Sequence, residues 1–185
     1  MSKLRSILLA ACAGSLAACA AAPAPGTEMR ALRTAEPGAR PAPAARQTSL
    51  DRDTARLRAA TAPFRKLSAA VAAGYPERVD HCVAHPQDGG MGYHHVNMSL
   101  MDNRLEVERP EILVYSRLAS GEYVLNGVEY VIPYTIRPPD ATPPRIMGQA
   151  LKRSAELKIW YLHVWIWNEN PSGLFADWNP NVRCG

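Results

Sequence analysis

The chain has 185 residues, a formal charge of +4 at pH 7 and a sequence pI near 9.0, a balance that invites a nucleic-acid partner. Ahead of residue 49, however, Lys3, Arg5, Arg30, Arg33, Arg40 and Arg46 face only Glu28 and Glu36; removing these from 21 basic and 17 acidic residues leaves 15 of each. The rest is formally neutral, without the basic excess that phosphate binding uses, and this excludes a nucleic-acid partner.

The first residues, MSKLRSILLAACAGSLAAC, pair a short basic segment with an apolar stretch diluted by small residues. That is the layout of a secretory signal, too short to span a bilayer as a mature helix. Leu16-Ala17-Ala18-Cys19 resembles the lipobox of bacterial lipoproteins, which implies a signal peptide over 1–18 and lipidation of Cys19. Leu9-Ala10-Ala11-Cys12 is a second match, but it would leave an apolar core of only a few residues. By resemblance to the sorting rule of enteric lipoproteins, which looks for Asp after the cysteine, Ala20 implies the outer membrane, with the domain facing the periplasm. The competing expectation is an ordinary cleaved signal that releases a soluble protein.

From residue 19 to 48 the composition shifts to Ala, Pro, Gly and Arg with no apolar period, which predicts a disordered tether. About 137 residues follow (185 minus 48), enough for one globular domain over 49–185. Ser49 is expected to cap a first helix, with Asp51 and Asp53 at its positive end. Pro63 should break that helix. Phe64, Leu67 and Val71 then line one face of a second, ending at Gly74. Alternation and β-branched or aromatic residues predict strands at 91–97, 111–117, 122–132 and 159–167, with a hairpin loop at 118–121. Residues 137–144 read as a proline-rich loop and 146–157 as a further helix. Helices followed by hairpin-linked strands point to an α+β fold, with N-terminal helices on a mainly antiparallel sheet of four to five strands, curled toward a barrel.

Ala73-Gly74-Tyr75, Cys82, GMGYHHVN (90–97), Arg109-Pro110-Glu111, Val128-Glu129-Tyr130 and LHVWIWNENPSGLFADWNP (162–180) before Cys184 resemble the pattern of an uncharacterised family of exported bacterial proteins. The resemblance covers most of 64–185, with His95 standing where an aromatic is usual. It implies export and a shared fold, and supplies no reaction.

Cys82 and Cys184 are the two cysteines of the folded part, and an oxidising destination predicts a disulfide between them. Neither sits in a CxxC pair, so zinc-ribbon and thioredoxin arrangements are excluded.

Period two puts Gly92, His94 and Val96 on one face of the first strand, and Tyr93, His95 and Asn97 on the other. His163 is expected to share its face with Tyr161, Trp165 and Trp167. Glu129, inside the apolar run GVEYVIP, needs a cation, an imidazolium or a metal, because an unpaired buried charge is costly. Two imidazoles and a carboxylate on neighbouring strands would form a facial set for one divalent transition metal, Zn, Cu or Fe. A buried Glu129–His hydrogen bond under aromatic packing competes with this. A small-molecule pocket is the other alternative, lined by Tyr93, Tyr115, Tyr130, Tyr161, Trp165 and Trp167 with Glu129, His94 and Gln149 as its polar groups. His81 and His85 read as solvent-exposed, and Asp177 as a cap for local backbone N–H groups. No P-loop, dinucleotide fingerprint or Ser-His-Asp order is present. Three readings stay open: a metal- or ligand-binding envelope lipoprotein, a structural or interaction lipoprotein with an inert core, and an enzyme on the same site.

Overall fold

In the computed structural model, residues 43–76 and 81–184 are described. The first helix, α1, spans Pro43–Thr61. It starts ahead of Ser49, inside the segment expected to be tether, with Pro43 tolerated in a first turn because its φ is already helical and its missing N–H has no partner there. Ser49 therefore lies mid-helix, and its hydroxyl donates to the Arg46 carbonyl at 2.8 Å instead of capping. Pro63 ends α1 as expected: a 3-10 turn over Ala62–Arg65 follows, then α2 over Leu67–Ala72 and Gly74 at φ 93°. Phe64 and Leu67 pack on the core, whereas Val71 is 48% exposed, so the second helix buries a narrower face than its spacing suggested.

The strands are β1 (Val83–His85), β2 (Gly89–Val96), β3 (Ile112–Arg117), β4 (Tyr123–Pro133), β5 (Arg145–Ile146), β6 (Gln149–Ala150), β7 (Lys152–Ser154) and β8 (Ile159–Val164). Six form one antiparallel sheet in the order β1-β2-β3-β4-β8-β7, and β5 pairs with β6 in a separate two-stranded ribbon. The helix expected over 146–157 is absent. Met147 and Gly148 take positive φ, 48° and 76°, which turns the chain back between β5 and β6 and interrupts any helical run. The loop at 118–121 closes the β3–β4 hairpin, with Leu118 N–H bonded to the Glu122 carbonyl.

The pleat sends alternate residues to opposite faces. One face carries Leu113, Tyr115, Leu125, Val128, Tyr130, Ile132, Trp160 and Leu162, packed with Leu57 of α1 and Ala70 of α2 into the main core. The other carries a smaller cluster of Val96, Ile112, Val114 and Val131, with Ile159 and Tyr161 beside it. The sheet is curled into a half-barrel, and two rings measure the curl. β2 and β8 are three strand intervals apart, roughly 14 Å in a flat sheet. Yet the His94 ring on β2 and the His163 ring on β8 have centroids 5.9 Å apart.

Cys82 and Cys184 form a disulfide with 5.5 Å between their Cα atoms, joining the approach to β1 to the C-terminal end. Cys19 lies outside the described residues. No described helix is long and apolar enough to cross a membrane.

Candidate metal centre

The register of the sheet builds the site. Ile112 of β3 pairs with Glu129 of β4, and Glu129 with His163 of β8, so these residues lie in one row across the smaller face. His94 of β2 pairs with Val114, which pairs with Gly127, one row along on the same face. Curling brings the diagonal partners together. His94 Nε2 lies 3.7 Å from Glu129 Oε2, and His163 Nε2 lies 3.9 Å from the same oxygen. One ligand atom from each of the three residues falls within 4.8 Å of the others.

Gly127 is required here. A Cβ at this position would stand 2.4 Å from the Val164 carbonyl and 3.2 Å from Trp165 Cα, so only glycine lets the chain leaving β8 cross this close. That crossing puts the Trp165 ring on His163, 5.9 Å between centroids and 14° between planes. Tyr161 meets His163 edge-on at 6.2 Å.

The group is dry, with side-chain exposures of 9% for His94, 7% for Glu129 and 2% for His163. Burial pushes the Glu129 carboxyl up to about 8, helped by the charges of Asp177 and Glu111. Burial likewise takes His94 down to about 4, against the pull of the Gly92 carbonyl, and His163 well below its ordinary range, with neighbouring His94 and Lys152 adding to it. Each residue thus avoids charge in isolation. The distances of 3.7 and 3.9 Å exceed hydrogen-bond range, so the expected Glu129–His hydrogen bond is not formed. Neither ring nitrogen of His163 has a hydrogen-bond partner. Buried polar atoms are rarely left this way.

A buried His–Glu–His group of this kind can hold a metal ion. Imidazole nitrogen and carboxylate oxygen suit zinc and neighbouring first-row ions, which bind them at about 2.0–2.2 Å. Three protein ligands leave at least one coordination position for water or another molecule.

The remaining sequence candidates are scattered. Tyr115 and Tyr130 lie on the main-core face, donating to the Phe64 and Val107 carbonyls at 2.6 and 2.7 Å. Tyr93 also faces away from His94 and packs on Tyr123, and Gln149 lies in the β5–β6 ribbon opposite Ile146. Of the pocket residues, Tyr161 and Trp165 adjoin His163, whereas Tyr93, Tyr115, Tyr130 and Gln149 lie away from it; the aromatic set draws on both faces of a pleated sheet, which cannot line one cavity together. Trp167 leaves the site as well, because the chain departs the sheet after Val164: its indole N–H donates to Thr61 of α1 at 3.0 Å. His95 faces the core, with Nδ1 3.3 Å from the Tyr75 carbonyl. His81 is exposed, while His85 is half-buried and paired with Asp88 at 3.0 Å.

An outer ring was not anticipated. Asp177 does not cap backbone; its carboxylate accepts from Lys152 Nζ at 2.6 Å and from the Tyr161 hydroxyl at 3.4 Å. Glu111 is a second buried acid, pushed up to about 8 by burial, with one oxygen accepting from Val131 N–H at 3.1 Å. Its place in an Arg-Pro-Glu run before an apolar strand was the available signal.

The fold and site define an α+β domain with a three-residue group suited to a metal. Comparison with protein-family models, curated proteins and solved structures gave no match.

Proposed function

We propose that the protein is a cell-envelope lipoprotein, anchored through Cys19 in the outer membrane, whose exported domain binds one divalent transition-metal ion at His94, Glu129 and His163. The observation that carries the metal reading is the set of buried ligand atoms within 4.8 Å of one another, too far apart to hydrogen-bond. An inert core would have closed these gaps with direct hydrogen bonds or filled the positions with apolar residues, since unpaired buried polar groups cost about 1–3 kcal/mol each. Zinc, copper and iron all accept this donor set. The lipoprotein part is supported by the lipobox-like Leu16-Ala17-Ala18-Cys19 and by the disulfide, which suits an oxidising compartment.

The test is metal content and zinc titration of the purified protein and of His94→Ala, Glu129→Ala, His163→Ala and His95→Ala. The first three should lose stoichiometric metal and His95→Ala should keep it, because His95 faces the other side of the sheet. A wild type without zinc affinity, or binding retained in His163→Ala, would sink the proposal. An enzyme on this site is favoured by one feature only, the coordination positions that three ligands leave open.

A further inference from the structure

The segment that follows β8 has contacts that the metal site alone does not explain. It leaves the sheet at Trp165, whose N–H bonds to the Leu174 carbonyl at 3.0 Å and whose indole N–H bonds to the Ala176 carbonyl at 2.7 Å. Trp165 is also the ring stacked on His163. Next, Lys152 of β7 holds the Phe175 carbonyl at 3.1 Å and the Asp177 carboxylate at 2.6 Å, while Tyr161 of β8 reaches Asp177 at 3.4 Å. The chain then arrives at the opposite flank of the sheet. Asn179 and Gly90 exchange both backbone hydrogen bonds at 3.0 and 3.1 Å, on β2, the strand that carries His94. Val182 is fully buried, and Cys184 is bonded to Cys82 beside β1. Residues 174–184 therefore link β7 and β8 to β1 and β2, the strands on either side of the site.

The two ends of this segment are held differently. The β2 end has paired backbone, a buried valine and a covalent bond, and stays in place. The β7 end is held by the two Trp165 hydrogen bonds to Leu174 and Ala176 and, beyond them, by an ion pair whose side chains are 39% and 29% exposed, so water can compete for that pair. Asp177 lies close enough to the site for its charge to act on Glu129. Metal ligands this deeply buried need an entry path.

We infer that residues 174–178 form a hinged cover on the His94–Glu129–His163 site, latched by Lys152–Asp177, and that metal enters and leaves when the latch opens. This rests on the metal-binding reading and adds how the site is regulated.

Charge supplies the discriminating test. Lys152 repels a bound cation and Asp177 attracts it, so if the pair acted through charge alone, Lys152→Ala would slow metal release and Asp177→Asn would speed it. As halves of one latch, both variants should speed release, and uptake as well, by roughly two- to fivefold, the factor expected for a half-exposed pair. Zinc release into excess colorimetric chelator and zinc uptake are followed by stopped flow on the wild type and both variants. Raising salt on the wild type screens the pair without mutation and should also accelerate release. Opposite changes in the two variants, or wild-type rates in both, would overturn the cover while leaving the metal site standing. A wild type that takes up no zinc would overturn both.

Discussion

Replacing Glu129 by Gln removes the one ionisable carboxyl of the site while keeping its shape, and the consequence can be worked through. In the metal-free folded protein burial raises this carboxyl from 4.5 to about 8. Between those values the unfolded chain has lost the proton and the folded chain still holds it. The contribution of Glu129 to stability is therefore complete below 4.5 and is lost as pH rises toward 8. At 1.36 kcal/mol per pH unit, the three units from pH 5 to pH 8 come to roughly 4 kcal/mol. The glutamine does not titrate, so wild type minus Glu129→Gln should lose that amount across the range. His94, lowered to about 4, acts in the opposite sense, gaining stability as pH rises from 4 toward 6.5, but it is common to both proteins and cancels, as does Glu111. Urea denaturation in the presence of a chelator at pH 5, 6, 7 and 8 measures the difference. With zinc bound the dependence on Glu129 disappears for the wild type: binding expels the Glu129 proton, so affinity should climb about tenfold per unit up to pH 8 and then level, which offsets the loss seen in the metal-free protein. A wild-type-minus-Gln difference that stays flat from pH 5 to 8 would mean the carboxylate is already ionised in the folded protein across that range. The argument for an ion-ready, metal-free site would then fail.

Non-reducing mass spectrometry should show a Cys82–Cys184 peptide, and replacing both cysteines by Ser should lower stability by up to ~4.7 kcal/mol for a loop of about 100 residues, read from denaturant melts. Cys19→Ser should move the protein from the membrane to the soluble fraction, and unchanged membrane association would remove the lipid anchor. Gly127→Ala should cost more than the ~1 kcal/mol typical of a point mutant, because its Cβ meets the Val164 backbone. It should also weaken zinc binding, since the contact it disturbs places Trp165 on His163; a variant with wild-type melting and affinity would contradict that role.

The strands that hold the site were legible because alternation is strong where one face is apolar. ILVYSR and IWYLHV fall within the predicted stretches, YVLNGVEYVIP overruns its stretch only by Pro133, and the pleat puts His94 and His95 on opposite faces as expected. The cysteine pair was legible because Cys82 and Cys184 are the two cysteines of the folded part and an oxidising destination was expected. The start of α1 was not, because Ala, Pro and Arg describe a tether as readily as a first turn. Over residues 146–157 the expected helix gives way to a turn, because Met147 and Gly148 take positive φ between β5 and β6. The tyrosine pocket failed for a geometric reason: residues adjacent in sequence on a strand were pooled although they point apart. Asp177 and Lys152 meet across 25 positions, and no local pattern announces such a pair.

The curl that brings His94 to His163 has a consequence for how the chain folds. These residues meet only after β3, β4 and β8 have all paired in register, so the site is assembled from contacts distant in sequence, which form slowly. An ion that grips both histidines would close a loop comparable with the disulfide's, and would do so only once the sheet exists. Metal should therefore slow unfolding far more than it speeds folding, because its contacts are absent from an early transition state. The ion would then govern how long a folded molecule survives.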